Sequence, residues 1–281
     1  MKKSFLLLFF IVTSITLFAQ QEIAVGLHYV TVKNGDESKI INLEKNIFSK
    51  LHKYSIDSGK KIGWDMWRLE NDSDPNHTTF VFTHLQSSLD QEDSGWGNQT
   101  LFSKSELSLA QEKWWSLVVD QKTIMTTFKG GFAPIDEKPV EFVQLSFMNV
   151  DPTGQYDYEQ MELKDFMPSH KKNKLLKGWA LHRIVNPHPD SGDDYITANF
   201  FDSMSDIYKN SNGVTKLTNQ QKANYKEILD LRSMSKVEVF RLMLSGRILS
   251  TKVVFPWSTC AIIAIFLIAV IAFFKRVQIY Y

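Results

Sequence analysis

Nine residues of this chain occur twice. Gly63-Trp64-Asp65-Met66-Trp67-Arg68-Leu69-Glu70-Asn71 is matched by Gly178-Trp179-Ala180-Leu181-His182-Arg183-Ile184-Val185-Asn186, an offset of 115. Gly, Trp, Arg and Asn recur in place, and Met66/Leu181 and Leu69/Ile184 agree in kind. The same offset aligns Asn34 with Asn149, Asp36 with Asp151 and Glu44 with Glu159, and downstream Phe80-Val81 with Tyr195-Ile196. A period this long exceeds any solenoid repeat and predicts a tandem duplication of a domain-sized unit. A chain of 281 residues has room for two such units, read here as residues 24–132 and 140–246.

The two ends differ from what lies between them. Met1-Lys2-Lys3, an apolar run to Phe18 and then Ala19-Gln20 describe a signal peptide spanning residues 1–19, of a bacterial look. Residues 253–274 carry no charge and stop at Lys275-Arg276, which predicts one transmembrane helix with a short cytosolic tail. The expected topology is a single-pass type I protein of the cell membrane, its body periplasmic or extracellular. Four of the 32 basic residues (Lys2, Lys3, Lys275 and Arg276) lie in these ends. The body therefore holds 28 basic against 31 acidic residues, a net of −3. That balance gives no electrostatic case for nucleic acid. Cys260 is the only cysteine and falls in the apolar segment, so the body has neither disulfides nor thiolate chemistry. Asn71, Asn76 and Asn98 match the glycosylation acceptor pattern, which matters only in a eukaryotic host.

Alternation and helical spacing give each unit the same order. In the first, a strand at 27–32 precedes a helix over 40–54 and strands at 64–69 and 79–85. A helix at 104–117 and a strand at 123–128 follow, and Gly130-Gly131 and Pro134 mark the boundary. In the second, the elements fall at 143–147, 158–170, 179–185, 195–200, 219–231 and 237–242, with a short extra helix at 203–208. Strand–helix–strand–strand–helix–strand is the ferredoxin-like order, which lays helices on one face of a four-stranded antiparallel sheet. Trp64, Met66, Phe80, Phe82, Trp179 and Leu181 are then expected on the other face, where the two sheets meet as a closed or nearly closed barrel.

A Glu-bearing helix, a Gly-Trp opening the second strand, a Pro/Asp-rich hairpin and a closing strand with a Glu resemble the dimeric α+β barrel proteins. The resemblance is to their antibiotic-biosynthesis-monooxygenase-like and stress-responsive groups, and covers residues 25–245. It implies an α+β fold in which units that usually pair between chains pair within one, as a monomeric pseudo-dimer. It also implies a cavity suited to a small molecule. Members include cofactor-independent oxygenases, haem enzymes and proteins without known activity.

Glu44 shares a helical stripe with Ile40, Phe48 and Leu51, and Glu159 sits likewise near Leu163 and Phe166. A carboxylate on such a stripe needs a partner. Arg68 and Arg183, present in both copies, are the cations at hand. Either each Glu–Arg pair is structural, or Glu44 is an acid at the barrel rim able to act as a general base. His52 and His170 lie near the ends of the equivalent helices but three positions out of register, since Met167 matches His52. His84 is matched by Asn199, and His182 by Trp67. The first copy thus concentrates titratable groups. A functional cavity is expected there, with Glu44, His52 and Arg68 as catalytic candidates and Trp64, Trp67, His84 and Trp179 as ligand-binding candidates. Glu159–Arg183 is expected as a structural pair. No metal-ligand spacing, phosphate loop or nucleophile elbow occurs, and the Lys171–Lys177 cluster reads as a solvated helix end. No cofactor is expected. Two functions stay open: a non-catalytic small-molecule-binding or interaction module, or a cofactor-independent oxygenase or related enzyme.

Overall fold

The computed structural model describes residues 23–91, 96, 99–133, 139–185, 192–211 and 218–246. The 1–19 leader, the 253–274 segment, Cys260 and Pro134 lie outside the described residues. Among the described residues no helix is long and apolar enough to cross a membrane.

The first half runs β1 (Ala24–Lys33), α1 (Glu37–Leu43), a π-helical turn (Glu44–Phe48), α2 (Ser49–Asp57), β2 (Gly63–Leu69), β3 (His77–Gln86), α3 (Lys104–Leu117) and β4 (Val118–Phe132). The second runs β5 (Phe142–Val150), α4 (Gln155–Met161), a π-helical turn (Glu162–Phe166), α5 (Met167–Lys172), β6 (Gly178–Ile184), β7 (Tyr195–Phe201), α6 (Met204–Ser211), α7 (Asn219–Leu231) and β8 (Arg232–Ser245). Ser103 and Glu106 form a capping box that starts α3. All eight strands close one antiparallel barrel in the order β1-β3-β2-β8-β5-β7-β6-β4, so the order of the first four repeats in the second four. Closure leaves no sheet edge unpaired.

The closing strands are longer than the alternation suggested because each serves both halves. β4 pairs with β1 up to Thr127 and with β6 from Thr126 to Phe132, a ladder bulged between Phe128 and Gly130. Gly130 and Gly131 therefore lie inside a strand rather than at a boundary. A Cβ on Gly131 would stand 2.3 Å from the Trp179 carbonyl oxygen, so only glycine lets β4 approach β6 there. β8 passes from β5 to β2 in the same way.

The expected face assignment is reversed. Trp64, Met66, Phe80 and Phe82 pack outward under α1, α2 and α3 with Ile40, Leu51 and Ala110. Trp179 and Leu181 do the same in the second half beside Tyr158 and Ile207. The lumen is filled by the alternate set, among them Leu27, Trp67, Val81, Leu145, Ile196 and Phe240. β2 and β6 are thus buried on both faces for most of their length, one by helices and one by the opposite wall, while the first residues of β4 and β8 stay exposed.

The repeat also has two offsets. β1 and β5, and the π turns beginning at Glu44 and Glu162, are related by 118 residues, whereas β2 and β6 are related by 115. The change falls where α5 is three residues shorter than α2. Glu162, not Glu159, is consequently the counterpart of Glu44, and His170, not Met167, that of His52.

Candidate functional site: an acid and three imidazoles beneath the first-half helices

The outer face of the first sheet and the helices above it enclose a cavity of about 270 Å³. β1 contributes His28, β3 contributes Phe82 and His84, the π turn contributes Glu44 and Phe48, and α2 contributes His52. Trp96, Gln111, Trp114 and Trp115 complete the lining. Trp115 remains 54% exposed and packs edge-on against Trp114, with 4.9 Å between ring centroids.

Glu44 is the acid of this cavity. The π turn adds a residue to the helical repeat, a device often found where a helix must aim a functional side chain. Glu44 is 3% exposed. Its Oε1 accepts a hydrogen bond from Trp114 Nε1–H at 2.8 Å, while its buried Oε2 has no partner. Burial pushes its pKa up to about 7, although the Trp114 hydrogen bond works in the other direction.

The imidazoles are held from below. Lys61, itself 6% exposed, reaches His84 Nδ1 at 3.0 Å and His52 Nδ1 at 3.3 Å. An ammonium has only donors, so both Nδ1 atoms accept and each ring carries its proton on Nε2. Both rings are neutral for the same reasons: burial first, then the Lys61 charge. Together these bring His84 down to about 3 and His52 well below the ordinary imidazole range. His52 is sandwiched, stacked on Trp64 at 4.6 Å and edge-on to Trp96 at 4.9 Å. His28 bonds through Nε2 to Gln121 Oε1 at 2.9 Å. The result is an aromatic box with neutral N–H donors and one carboxyl poised near neutrality.

The candidates named from sequence divide. Glu44, His52 and His84 come together. Trp64 lies beneath His52, Trp67 faces the lumen, and Trp179 is in the other half. Arg68 is not at the cavity and does not pair with Glu44: its Nε and Nη2 donate to Glu70 Oε1 at 2.9 and 2.7 Å. Glu159 and Arg183 do not pair either, because Glu159 accepts from Tyr195 Oη at 2.9 Å and Arg183 donates to Gln155 at 2.7 Å. The pairing was inferred from a constant offset, and the three-residue change in α5 moved the helix against the strand.

The equivalent place in the second half is built differently. Phe166, His170 and Trp179 repeat Phe48, His52 and Trp64, with His170 stacked on Trp179 at 5.4 Å. Glu162 Oε1, however, lies 3.9 Å from Arg232 Nε. Asn199 replaces His84 and Leu176 replaces Lys61. Sequence reasoning missed Lys61, His28, Trp96, Gln111 and the Trp114-Trp115 doublet. The doublet, on a helix with little apolar stripe, was the one legible signal. Among the described residues no group of three or more His, Cys, Asp or Glu is placed to hold a metal ion.

No protein-family model and no curated protein matches the chain. Solved structures do. A candidate monooxygenase from Fusobacterium nucleatum superposes with a TM-score of 0.58 at 8% identity, over 81% of this chain and 95% of that one. A candidate monooxygenase from Lactobacillus acidophilus gives 0.52 at 12% identity over 80% and 94%. An anthrone oxidase-like protein gives 0.50 at 10% over 80% and 92%. The fold is that of the dimeric α+β barrels. Here one chain supplies all eight strands of the barrel.

Proposed function

We propose that this chain is an exported, membrane-anchored α+β barrel, arisen by tandem duplication within the antibiotic-biosynthesis-monooxygenase-like or stress-responsive groups, that binds a small planar molecule in its first-half cavity. The observation that carries the reading is Glu44 Oε2, buried and unpartnered beside aromatic walls. A buried carboxyl without a cation is costly, and a ligand donor or acceptor at Oε2 relieves that cost. The repeated strand order and the matching π turns support duplication. The apolar 253–274 segment and the 1–19 leader support anchoring and export, with the body periplasmic or extracellular. The test is a tryptophan-fluorescence and thermal-shift screen of planar metabolites and haem, on the wild type and Glu44→Gln. A hit that the substitution weakens supports the site, and hits indifferent to it overturn it.

A second reading is enzymatic. A carboxyl with a pKa near 7 is matched to accepting a proton from an acidic C–H or phenolic O–H at neutral pH. Two of the structures of similar fold are described as monooxygenases and one as anthrone oxidase-like, which agrees with a cofactor-independent oxygenase. Oxygen uptake with a hydroquinone or anthrone substrate, lost in Glu44→Gln, would select this reading over simple binding.

A further inference from the structure

The barrel lumen holds a second cavity of about 100 Å³, separated from the first by the sheet. Its lining follows the internal repeat at Val25/Val143, Leu27/Leu145 and Val81/Ile196, where like faces like. It departs at three places: Thr83 against Ala198, Thr126 against Phe240, and His182 against Trp67. In each departure one partner is polar. The polar partners sit on β3, β4 and β6, which with β1 form one continuous wall of the closed barrel. The opposite wall (β2, β8, β5 and β7) presents Trp67, Phe240, Leu145 and Ala198. Two identical halves would give a lumen with two like walls, whereas here one wall is polar and the other apolar.

The polar wall has a defined sense. Thr126 Oγ1 donates to the Val25 carbonyl at 3.0 Å, so it can only accept from His182 Nδ1, 3.4 Å away. The His182 proton is therefore on Nδ1, and Nε2 presents a lone pair. Thr83 adds a buried hydroxyl oxygen with no hydrogen-bond partner. His182 is walled by protein and keeps residual exposure, and it lines the lumen cavity. Burial holds the ring neutral, its pKa brought down to about 4. A dry cavity of about 150 Å³ in another protein takes benzene, so this one, at about 100 Å³, suits a smaller molecule.

We infer that the lumen is a binding site for a small apolar molecule bearing one hydrogen-bond donor, smaller than benzene, whose N–H or O–H donates to His182 Nε2 while its body lies on the Trp67–Phe240 wall. This site is independent of the Glu44 cavity and stands whether or not that cavity binds anything.

The probes are pyrrole, which carries one N–H donor, and furan, its isostere without one, dialysed to equilibrium against the full-length chain in nanodiscs, with binding to empty nanodiscs subtracted. The wild type should bind one equivalent of pyrrole about five- to tenfold more tightly than furan, the ratio given by one neutral hydrogen bond. His182→Phe should bring the ratio to about one, and Ala198→Leu, which fills the lumen, should abolish both. Should either variant fail to fold, the wild type suffices: the side-chain ¹⁵N resonance of His182 Nε2 must shift on saturation with pyrrole and not with furan. No saturable pyrrole binding, an unchanged ratio in His182→Phe, or an unmoved Nε2 resonance would overturn the assignment.

Discussion

Glu44 and Glu162 open the same π-helical turn in the two halves, yet Glu44 meets the indole N–H of Trp114 at 2.8 Å and Glu162 the guanidinium of Arg232 at 3.9 Å. Burial raises the pKa of both acids, but only in Glu162 does a cation, Arg232, oppose it. Their replacement should therefore differ in cost. Glu162→Gln leaves Arg232 without its counter-charge and should destabilise the fold by about 2 kcal/mol, discounted from a fully buried pair because Arg232 keeps some exposure. Glu44→Gln keeps the Trp114 hydrogen bond and should cost little at pH 6, measured by urea denaturation.

The same pair predicts a pH dependence. Unfolded Glu44 ionises near 4.5 and the folded residue near 7, so the folded state binds more protons between these values. Its contribution to stability is thus full below about pH 4.5 and is lost as pH rises through 7. His52, His84 and His182 act oppositely: they stay neutral in the fold, and stability is lost as pH falls below about 6.5. Glu44→Gln removes the first effect alone. Its denaturation midpoint should fall more steeply on acidification from pH 7 to 5 than that of the wild type, and parallel curves would refute the raised pKa.

Lys61 pins both imidazoles through Nδ1. Lys61→Met should raise the titration points of His52 and His84 towards, but not to, the ordinary imidazole value, because burial remains the larger cause. Histidine ¹⁵N titrations also read the tautomer, which should cease to be purely Nε2–H in both rings.

Trp64 and Trp179 are buried at related positions beneath their helices. Trp179→Ala should cost about 3–5 kcal/mol, and Trp64→Ala should cost as much. A loss below 1 kcal/mol in either would contradict the packing described.

The anchoring proposal has its own test. A chain ending after Lys252 should be recovered in the soluble exported fraction, and the full chain should stay with membranes after a high-salt wash. A truncated chain that still pelleted would refute a single C-terminal anchor.

The duplication signal at Gly63/Gly178, the strand and helix order, and the presence of a buried acid near residue 44 were all legible in the sequence. Periodicity is a local property, and α3 and α7 lie where helical segments were expected. Alternation separates Trp64 and Met66 from Trp67 but cannot say which set faces the lumen when both faces of a strand are apolar. The closed barrel decided that, since helices cover one face and the far wall the other. The partner of Glu44 was equally out of reach. It depends on a π turn and on Trp114 arriving from a helix 70 residues away. Sequence periodicity determined which elements form; the tertiary fold alone determined which side chains meet, because contact between distant residues is set by how strands register and close, not by local spacing.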